Sequence, residues 1–307
     1  MKIGIGLPAA IPGADVRTLG QWAADSERAG FDSLGVFDRL VYDNLEPLTA
    51  LAAAAARTSE VELVTTVLNV GWRNNPILLA KQLASVEQLS GGRLTAGLGL
   101  GGWPDDYTAS HASRDAMATL WESTLETFRH AWSGKLSAQG GAMTQLPDDR
   151  PALLFGGLVP AAYRRAATHG QGWVAPLFGL PVLKQGVLAV HKAWQKAGKS
   201  GRPRVLTGRY FALGKEADSI ADHYVHHYYG DAYFDVARAD TLTSPDELRE
   251  HLTALRDAGT TDVVLYPTSA GLEQVSLLAE ALDTAGLRPA RASASRVGRH
   301  NKGATWR

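Results

Sequence analysis

Glycines gather at the end of one predicted β-strand, in the stretch LTAGLGLGGWPDDY of residues 94–107, and three of them spell G-x-G-x-x-G. In a dinucleotide-binding turn with this pattern, a helix opens directly after the glycines and holds a pyrophosphate at its N-terminus. Here Trp103 and Pro104 follow, and then two acids, so we predict that no helix N-terminus faces a pyrophosphate. The dinucleotide interpretation therefore fails on its context.

The same glycines suit a flat ligand instead. Glycine has no side chain that would hold an aromatic ring away from the backbone. We therefore predict that Gly99, Gly101 and Gly102 form a floor beneath an aromatic ligand at the end of this strand. The alternative is a loop that needs its glycines only to turn the chain.

A second group of residues with chemical potential lies in the stretch HYVHHYYGDAYF, which holds three histidines and several aromatic side chains. Clustered imidazoles can bind zinc, but no acidic ligand at a matching spacing supports a metal site here. The aromatic side chains around His223, His226 and His227 suit a lid over a pocket. We predict the lid and no metal site, and a plain helical surface is the alternative.

Eight predicted strands alternate with helices and must position these residues. Most are apolar on both faces, as parallel strands covered by helices are. They span residues 2–7, 32–37, 61–68, 93–99, 152–155, 171–175, 204–213 and 262–266. Eight such units predict an α/β fold of the (β/α)8 TIM-barrel type, with a doubly wound sheet as the alternative. Three stretches interrupt the alternation, at 102–112, 134–150 and 214–243, and we expect them as insertions at the C-terminal mouth.

Composition limits the remaining functions. The chain has no cysteine, which excludes disulfides and thiolate catalysis, and its formal net charge of zero gives no reason to expect nucleic acid as a partner. No apolar run approaches the ~20 residues of a membrane span, so we expect a cytoplasmic protein. We predict one domain over 1–287 and a basic, disordered tail over 288–307, with nucleic-acid contact as the alternative for the tail.

Several stretches carry a resemblance to a known family. The run from Glu46 to Tyr107 combines a Pro-Leu helix, a strand that ends in an apolar-Asn loop, the motif NPILLAKQLASVEQLSGGR and the glycine-rich strand end. The stretches GFDSLGVFDRL, FGGLVPAAYRRAATHGQGWV and LREHLTALRDAGTTDVVLYP extend the pattern over most of residues 1–285. Together they resemble the bacterial luciferase-like family of flavin-dependent oxidoreductases.

The resemblance implies a TIM barrel that binds FMN, or the deazaflavin coenzyme F420, at its C-terminal mouth. It places a non-proline cis peptide at Val67–Leu68, against the flavin ring, and the phosphate at the start of the fifth helix. The cofactor-binding residues that it implies are Val67, Leu68, Asn69, Gly99, Leu100, Gly101, Gly156, Gly157, Leu158, Gly172 and Trp173. Two hydroxyl donors of the family's Gly-Gly-Ser-Ser motif are missing, because Leu158 and Val159 stand in their place.

The second predicted strand also departs from the family, since it ends in Asp38-Arg39 where many relatives have Asp-His. An arginine stays protonated and cannot act as a general base, but it can stabilise negative charge on a reduced flavin. Asp38 and Arg39 are therefore the candidate catalytic residues. The alternative for Arg39 is a salt bridge to Asp38 or Asp43.

The resemblance also implies an enzyme. We expect a monooxygenase that acts on a small organic substrate with reduced FMN and O₂, the flavin coming from a separate reductase. Two alternatives stay open, namely F420-dependent hydride transfer and a barrel that binds a ligand without catalysis. Because family members commonly pair through this side, we also expect a homodimer that packs through the helices at 46–57 and 76–90.

Overall fold

Eight parallel strands close into a barrel in the computed structural model, which describes residues 1–114, 117–147, 149–177 and 179–287. Neighbouring strands pair in chain order, and the first pairs with the last, Ile3 with Val263 and Ile5 with Leu265. The strands are β1 Lys2–Gly6, β2 Ser33–Val36, β3 Glu62–Thr65, β4 Leu94–Gly99, β5 Ala152–Gly156, β6 Gly172–Val174, β7 Arg204–Phe211 and β8 Asp262–Pro267. The predicted (β/α)8 TIM barrel is confirmed, together with all eight predicted strands.

Helices cover the outside of the barrel, and additional helices lie at its mouth. In chain order they are α1 Leu19–Ala29, α2 Pro47–Ala55, α3 Pro76–Leu89, α4 Pro104–Ser110, α5 Met117–Trp132, α6 Pro160–His169, α7 Leu180–Lys196, α8 Ala217–Tyr229, α9 Phe234–Ala239, α10 Pro245–Asp257 and α11 Glu273–Thr284. The additional helices are α4, after β4, and α8 and α9, after β7. They occupy two of the three predicted interruptions, and the third contains the hairpin Ser137–Ala138 with Gly141–Ala142.

Local sequence sets where these elements begin. Asn75 caps α3, because its side chain accepts a hydrogen bond from the backbone N–H of Leu78, and Pro76 stands in the first turn, where its missing N–H costs nothing. Every residue of β4 and of β8 is buried, as expected for strands with a filled interior on one face and helices on the other.

Charged and aromatic side chains fill opposite ends of the barrel interior. At the N-terminal end the guanidinium of Arg204 donates to Glu62 and to Asp262, each at 2.7 Å. At the C-terminal end of β7 and β8, Tyr210 and Tyr266 are buried with other aromatic rings. Because TIM barrels carry their sites at the C-terminal ends of the strands, the ion pairs belong to the support of the fold and the aromatic end faces the site.

Helix α4 contradicts one expectation from the sequence. A seven-residue helix does begin at Pro104, directly after the glycine-rich strand end, because proline fits the first position of a helix. Its first turn holds Asp105 and Asp106, and the Asp106 carboxylate is paired with Arg39. These acids oppose the approach of a pyrophosphate, so the dinucleotide interpretation still fails, for a different reason.

Two further predictions concern the C-terminal tail and membrane-spanning segments. The basic tail at 288–307 lies outside the described residues. Among the described helices, none is both long and apolar enough to cross a membrane.

Candidate active site

Two cavities meet at the C-terminal mouth of the barrel. The aromatic cavity, of about 620 Å³, lies between the ends of β2, β7 and β8 and helix α8. The glycine cavity, of about 510 Å³, lies between the ends of β4 and β5 and the start of α6. The residues that line both are Thr66, Val67, Gly101, Val174, Ala175 and Pro176. The two cavities therefore form one continuous site, and these six residues, Val67 among them, lie where the cavities meet.

The cis peptide lies one residue before its predicted place. It joins Thr66 to Val67, so the prediction of Val67–Leu68 was wrong. The chain leaves β3 at Thr65 and pairs with β4 again at Leu68 and Asn69, which leaves residues 66 and 67 to make the break in the strand. Val67 thereby lies at the junction of the two cavities.

The glycines at and just after the end of β4 leave space for neighbouring side chains as well as for the cavity. A Cβ added at Gly99 would lie 2.3 Å from Cγ2 of Val67, and one at Gly101, where φ is +80°, would lie 2.2 Å from the Trp72 ring. A side chain at position 99 would thus meet Val67. Gly99, Leu100 and Gly101 nonetheless line the glycine cavity, whereas Gly102, the third glycine of the predicted floor, lines the aromatic cavity.

The end of β5 forms the far wall of the glycine cavity. Gly156, Gly157 and Leu158 line it, and α6 begins two residues later with no side chain capping its N-terminus. Pro160 has no N–H and that of Ala162 donates to the carbonyl of Val159, so the helix dipole is what favours an anion at this end. Trp173 does not reach the cavity; it is buried and its Nε1–H donates to the carbonyl of Gly157 at 2.9 Å, which fixes this wall from behind.

Arg165 is a site residue that the sequence reasoning missed. It lies on α6, lines the glycine cavity, and its guanidinium lies 4.2 Å from the centroid of the Trp121 ring. Burial, and then the charge of Arg164, lower its pKa to about 10, and no ion pair neutralises it within the described part of the chain. The Arg-Arg pair two turns after a Gly-Gly strand end was the available signal.

Asp38 lies at the aromatic cavity and is held by its neighbours. Its carboxylate accepts the backbone N–H of Asn69 at 2.8 Å and the guanidinium of Arg73 at 3.0 Å, and Asn69 in turn donates to the carbonyl of Asp38. Burial raises the pKa of this carboxyl to about 6, although Arg73 opposes the rise. Asp38 therefore ties the end of β2 to the loop after β3.

Arg39 lies behind the wall of the aromatic cavity and not in its lining. Its Nε–H donates to the Asp106 carboxylate at 3.0 Å, and both side chains are buried. The face of its guanidinium lies 4.1 Å from the Trp103 ring, and Trp103 does line the cavity. Its ion-pair partner is thus Asp106, and neither Asp38 nor Asp43 pairs with it among the described contacts.

The remaining predicted positions divide in two. Asn69 lines the aromatic cavity and Val67 lines both. Leu68 and Gly172 are buried within the sheet, where a Cβ at Gly172 would lie 1.9 Å from the backbone of Arg204. These two positions serve the packing of the barrel.

Helix α8 covers the aromatic cavity, where the sequence predicted a lid. Tyr228, Tyr229 and Tyr233 line it. Two of the three histidines of this segment have other partners, since His226 pairs with Asp231 and His227 is hydrogen-bonded to the hydroxyl of Tyr42. No group of three metal-binding side chains occurs among the described residues. No local pattern pointed to the other lining side chains, which include Phe37, Thr207, Tyr210 and Tyr266.

The residues present fit a flavin or deazaflavin. The glycine cavity has backbone without side chains along one wall, and it ends at a cation, Arg165, beside an uncapped helix N-terminus. A planar ring with a phosphate-bearing tail needs these two features in one cavity.

Comparisons with solved structures agree with the barrel fold. An F420-dependent secondary alcohol dehydrogenase superposes with a TM-score of 0.76 at 16% identity, over 94% of this chain and 99% of that one. Monooxygenase RslO1 from Streptomyces bottropensis gives 0.73 at 23% identity, over 92% and 99%. At these identities the likeness shows the fold.

One curated relative, the F420-dependent glucose-6-phosphate dehydrogenase of Beutenbergia cavernae, is 31% identical over 173 residues. The match covers 48% of this chain and 49% of that protein, so the chain spans about half the length of this relative. The model of the luciferase-like monooxygenase family matches residues 1–276, and the chain belongs to that family.

Proposed function

We propose that the protein is a monooxygenase that uses reduced FMN and O₂ on a small organic substrate, and that a separate reductase supplies the flavin. The continuous site at the barrel mouth supports a cofactor in the glycine cavity and a substrate in the aromatic cavity. The two would meet at Val67, which lines both. When bound, reduced FMN supplies the electrons that activate O₂, which the protein's own side chains cannot do.

One observation carries the choice of oxygenation over hydride transfer. Oxidation of an alcohol by hydride transfer needs a base that takes the hydroxyl proton. In the described lining of the aromatic cavity, Asp38 is the single carboxylate, and its Oδ2 already accepts hydrogen bonds from Asn69 and Arg73. A cavity whose single carboxylate is already held by two donors fits oxygenation better than alcohol oxidation, because the flavin carries the chemistry of oxygenation.

The chain's own residues would hold and orient the reactants. Gly99 and Gly156 leave room for the side chain of Val67, since a Cβ at either would lie within 3.0 Å of it, and Val67 would border the flat ring. Arg165 and the start of α6 would hold the phosphate. Arg39 and Asp106 would keep Trp103 in place as the wall, so we assign Arg39 a positioning role.

Hydride transfer with F420 is the second candidate, and the names of relatives support it. Besides the dehydrogenase from Beutenbergia cavernae, a 5,10-methylenetetrahydromethanopterin reductase of Methanolobus tindarius is 29% identical over 147 residues. Asp38, with its pKa raised to about 6, would then be the available base.

Anaerobic titration with each reduced cofactor separates these functions. Trp121 and Trp103 border the site, so a bound ring should quench tryptophan fluorescence. We expect quenching by reduced FMN, followed on mixing with O₂ by reoxidation at a rate different from that of free flavin. Quenching by reduced F420 alone would favour hydride transfer, and no response to either would leave a barrel that binds another ligand.

A further inference from the structure

We infer that the aromatic cavity takes an uncharged, flat aromatic molecule that carries a hydroxyl or carbonyl group. The inference deepens the proposed function, on which it rests, by naming the class of substrate. The cavity, of about 620 Å³, has the size of pockets that enclose small organic ligands.

Aromatic rings surround this cavity and meet edge to face. Phe37 lies at 85° to Tyr228 and at 71° to Tyr266, with centroids 5.6 and 5.2 Å apart. Trp103 lies at 88° to Tyr228, with centroids 5.5 Å apart. Ring edges and faces that point into a cavity attract the faces and edges of another ring. The lining is therefore complementary to an aromatic ligand.

The wall made by Trp103 is held in place before any ligand arrives. The buried Arg39–Asp106 ion pair lies behind it, with the guanidinium stacked on the indole, and Asp106 also accepts the backbone N–H of Val41 at 2.7 Å. The positive charge thus serves the wall and is not offered to the cavity. A preformed wall lowers the entropic cost of binding a rigid, flat molecule.

The charges that do reach the cavity disfavour anions. No lysine, arginine or histidine lines it within the described residues, and Asp38 is its one carboxylate. Burial raises the pKa of Tyr210, Tyr229 and Tyr266, so their hydroxyls remain neutral. A phosphate or carboxylate on the substrate would be buried without a counter-charge, which is strongly unfavourable.

Thr207 adds a polar requirement. It lines the cavity, it is 1% exposed, and its hydroxyl has no hydrogen-bond partner among the described residues. A buried hydroxyl without a partner costs free energy that a ligand's hydroxyl or carbonyl can recover. The substrate should therefore carry such a group at the end that reaches β7.

Binding of simple probes to the cofactor-free protein tests this class directly. We expect calorimetric titration to give at least ten-fold tighter binding for 2-naphthol than for 2-naphthoate, which has the same rings and a negative charge. The comparison is repeated in Arg165→Met, which removes the cation of the adjoining glycine cavity as a second place for an anion to bind. Equal or tighter binding of 2-naphthoate than of 2-naphthol in that variant, or no binding of 2-naphthol, would overturn the inference. This readout needs no cofactor, so it fails or succeeds independently of the FMN titration.

The substitution Thr207→Val tests the polar contact. It should weaken the binding of 2-naphthol at least three-fold and leave the binding of naphthalene, which has no hydroxyl, unchanged. The fold should tolerate it, because the lost hydroxyl has no partner within the described chain. Thr168→Val, on the exposed face of α6, is the matched control and should change neither ligand. Equal weakening of both ligands by Thr207→Val would mean that Thr207 only shapes the cavity.

Discussion

Gly99 and Val67 compete for the same small volume where β3 and β4 end. We expect Gly99→Ala to displace Val67, because its Cβ would lie 2.3 Å from Cγ2 of that residue. Overpacking of this kind costs ~1–3 kcal/mol of stability. Cofactor affinity should fall at least about ten-fold, or ~1.4 kcal/mol, because Val67 borders both cavities.

Gly140→Ala is the control, since nothing lies within 4 Å of an added Cβ there. Urea unfolding and flavin titration of both variants measure the two effects. Parent-like flavin affinity in Gly99→Ala would show that the ring lies elsewhere.

Asp38 should make stability depend on pH in an unusual direction for a carboxylate. Its pKa rises from 3.8 to about 6 on folding, so its contribution favours the folded state at low pH and is lost as the pH rises through about 6. Asp38→Asn removes this titration. The parent should therefore lose on the order of 2–3 kcal/mol relative to the variant between about pH 4 and about pH 7. Urea unfolding at several pH values measures the difference, and a constant offset would contradict the assignment.

At the scale of residues, the sequence predicted the position of the candidate site more accurately than the role of each residue in it. Pattern alone placed Gly99 at the site but could not show that Val67 needs the space, because that contact joins two strands. Arg39 has the same lesson: its partner, Asp106, is 67 positions away along the chain. Partners across the barrel are set by strand register, which no local pattern encodes.

Helix α6 is the element that joins the proposed cofactor site to the barrel. Arg165→Met should weaken the binding of FMN at least about ten-fold, because it removes the one cation in the described lining of the glycine cavity. Charge-assisted hydrogen bonds to phosphate are stronger than neutral ones. Riboflavin, which has no phosphate, should bind as it does to the parent. Arg164→Met, on the exposed side of the same turn, is the control. Equal loss of riboflavin affinity would show that Arg165 supports the fold and not the phosphate.

Elements were predictable where the pattern is regular and failed where the chain serves the site. The apolar runs predicted all eight strands, because this signal is local. Helix α4 was missed although Pro104 and the acids of its first turn are local signals of a helix start. The observed cis peptide lies one residue before its predicted place, where the chain leaves β3 and before it pairs with β4 at Leu68.

At the scale of the whole molecule, the two ends of the barrel have different roles, one in stability and one in the candidate site. Ion pairs of Arg204 close the N-terminal end, and the site opens at the other. The outer faces of α2 and α3 belong to neither task. Leu78 on α3 is 53% exposed and Leu89 is 65% exposed, although both are large and apolar. Such a surface suits a second copy of the chain.

We therefore predict a homodimer that packs through α2 and α3. Sedimentation at micromolar concentration should give twice the chain mass of 32.8 kDa. Leu78→Glu should weaken the association at least about ten-fold, because each copy would bury a charge without a partner in a two-fold interface. Leu188→Glu is the matched control, since Leu188 is 73% exposed on α7, away from this face. A parent protein that sediments as a monomer, or a dimer that only Leu188→Glu disrupts, would show that the interface lies elsewhere or does not form.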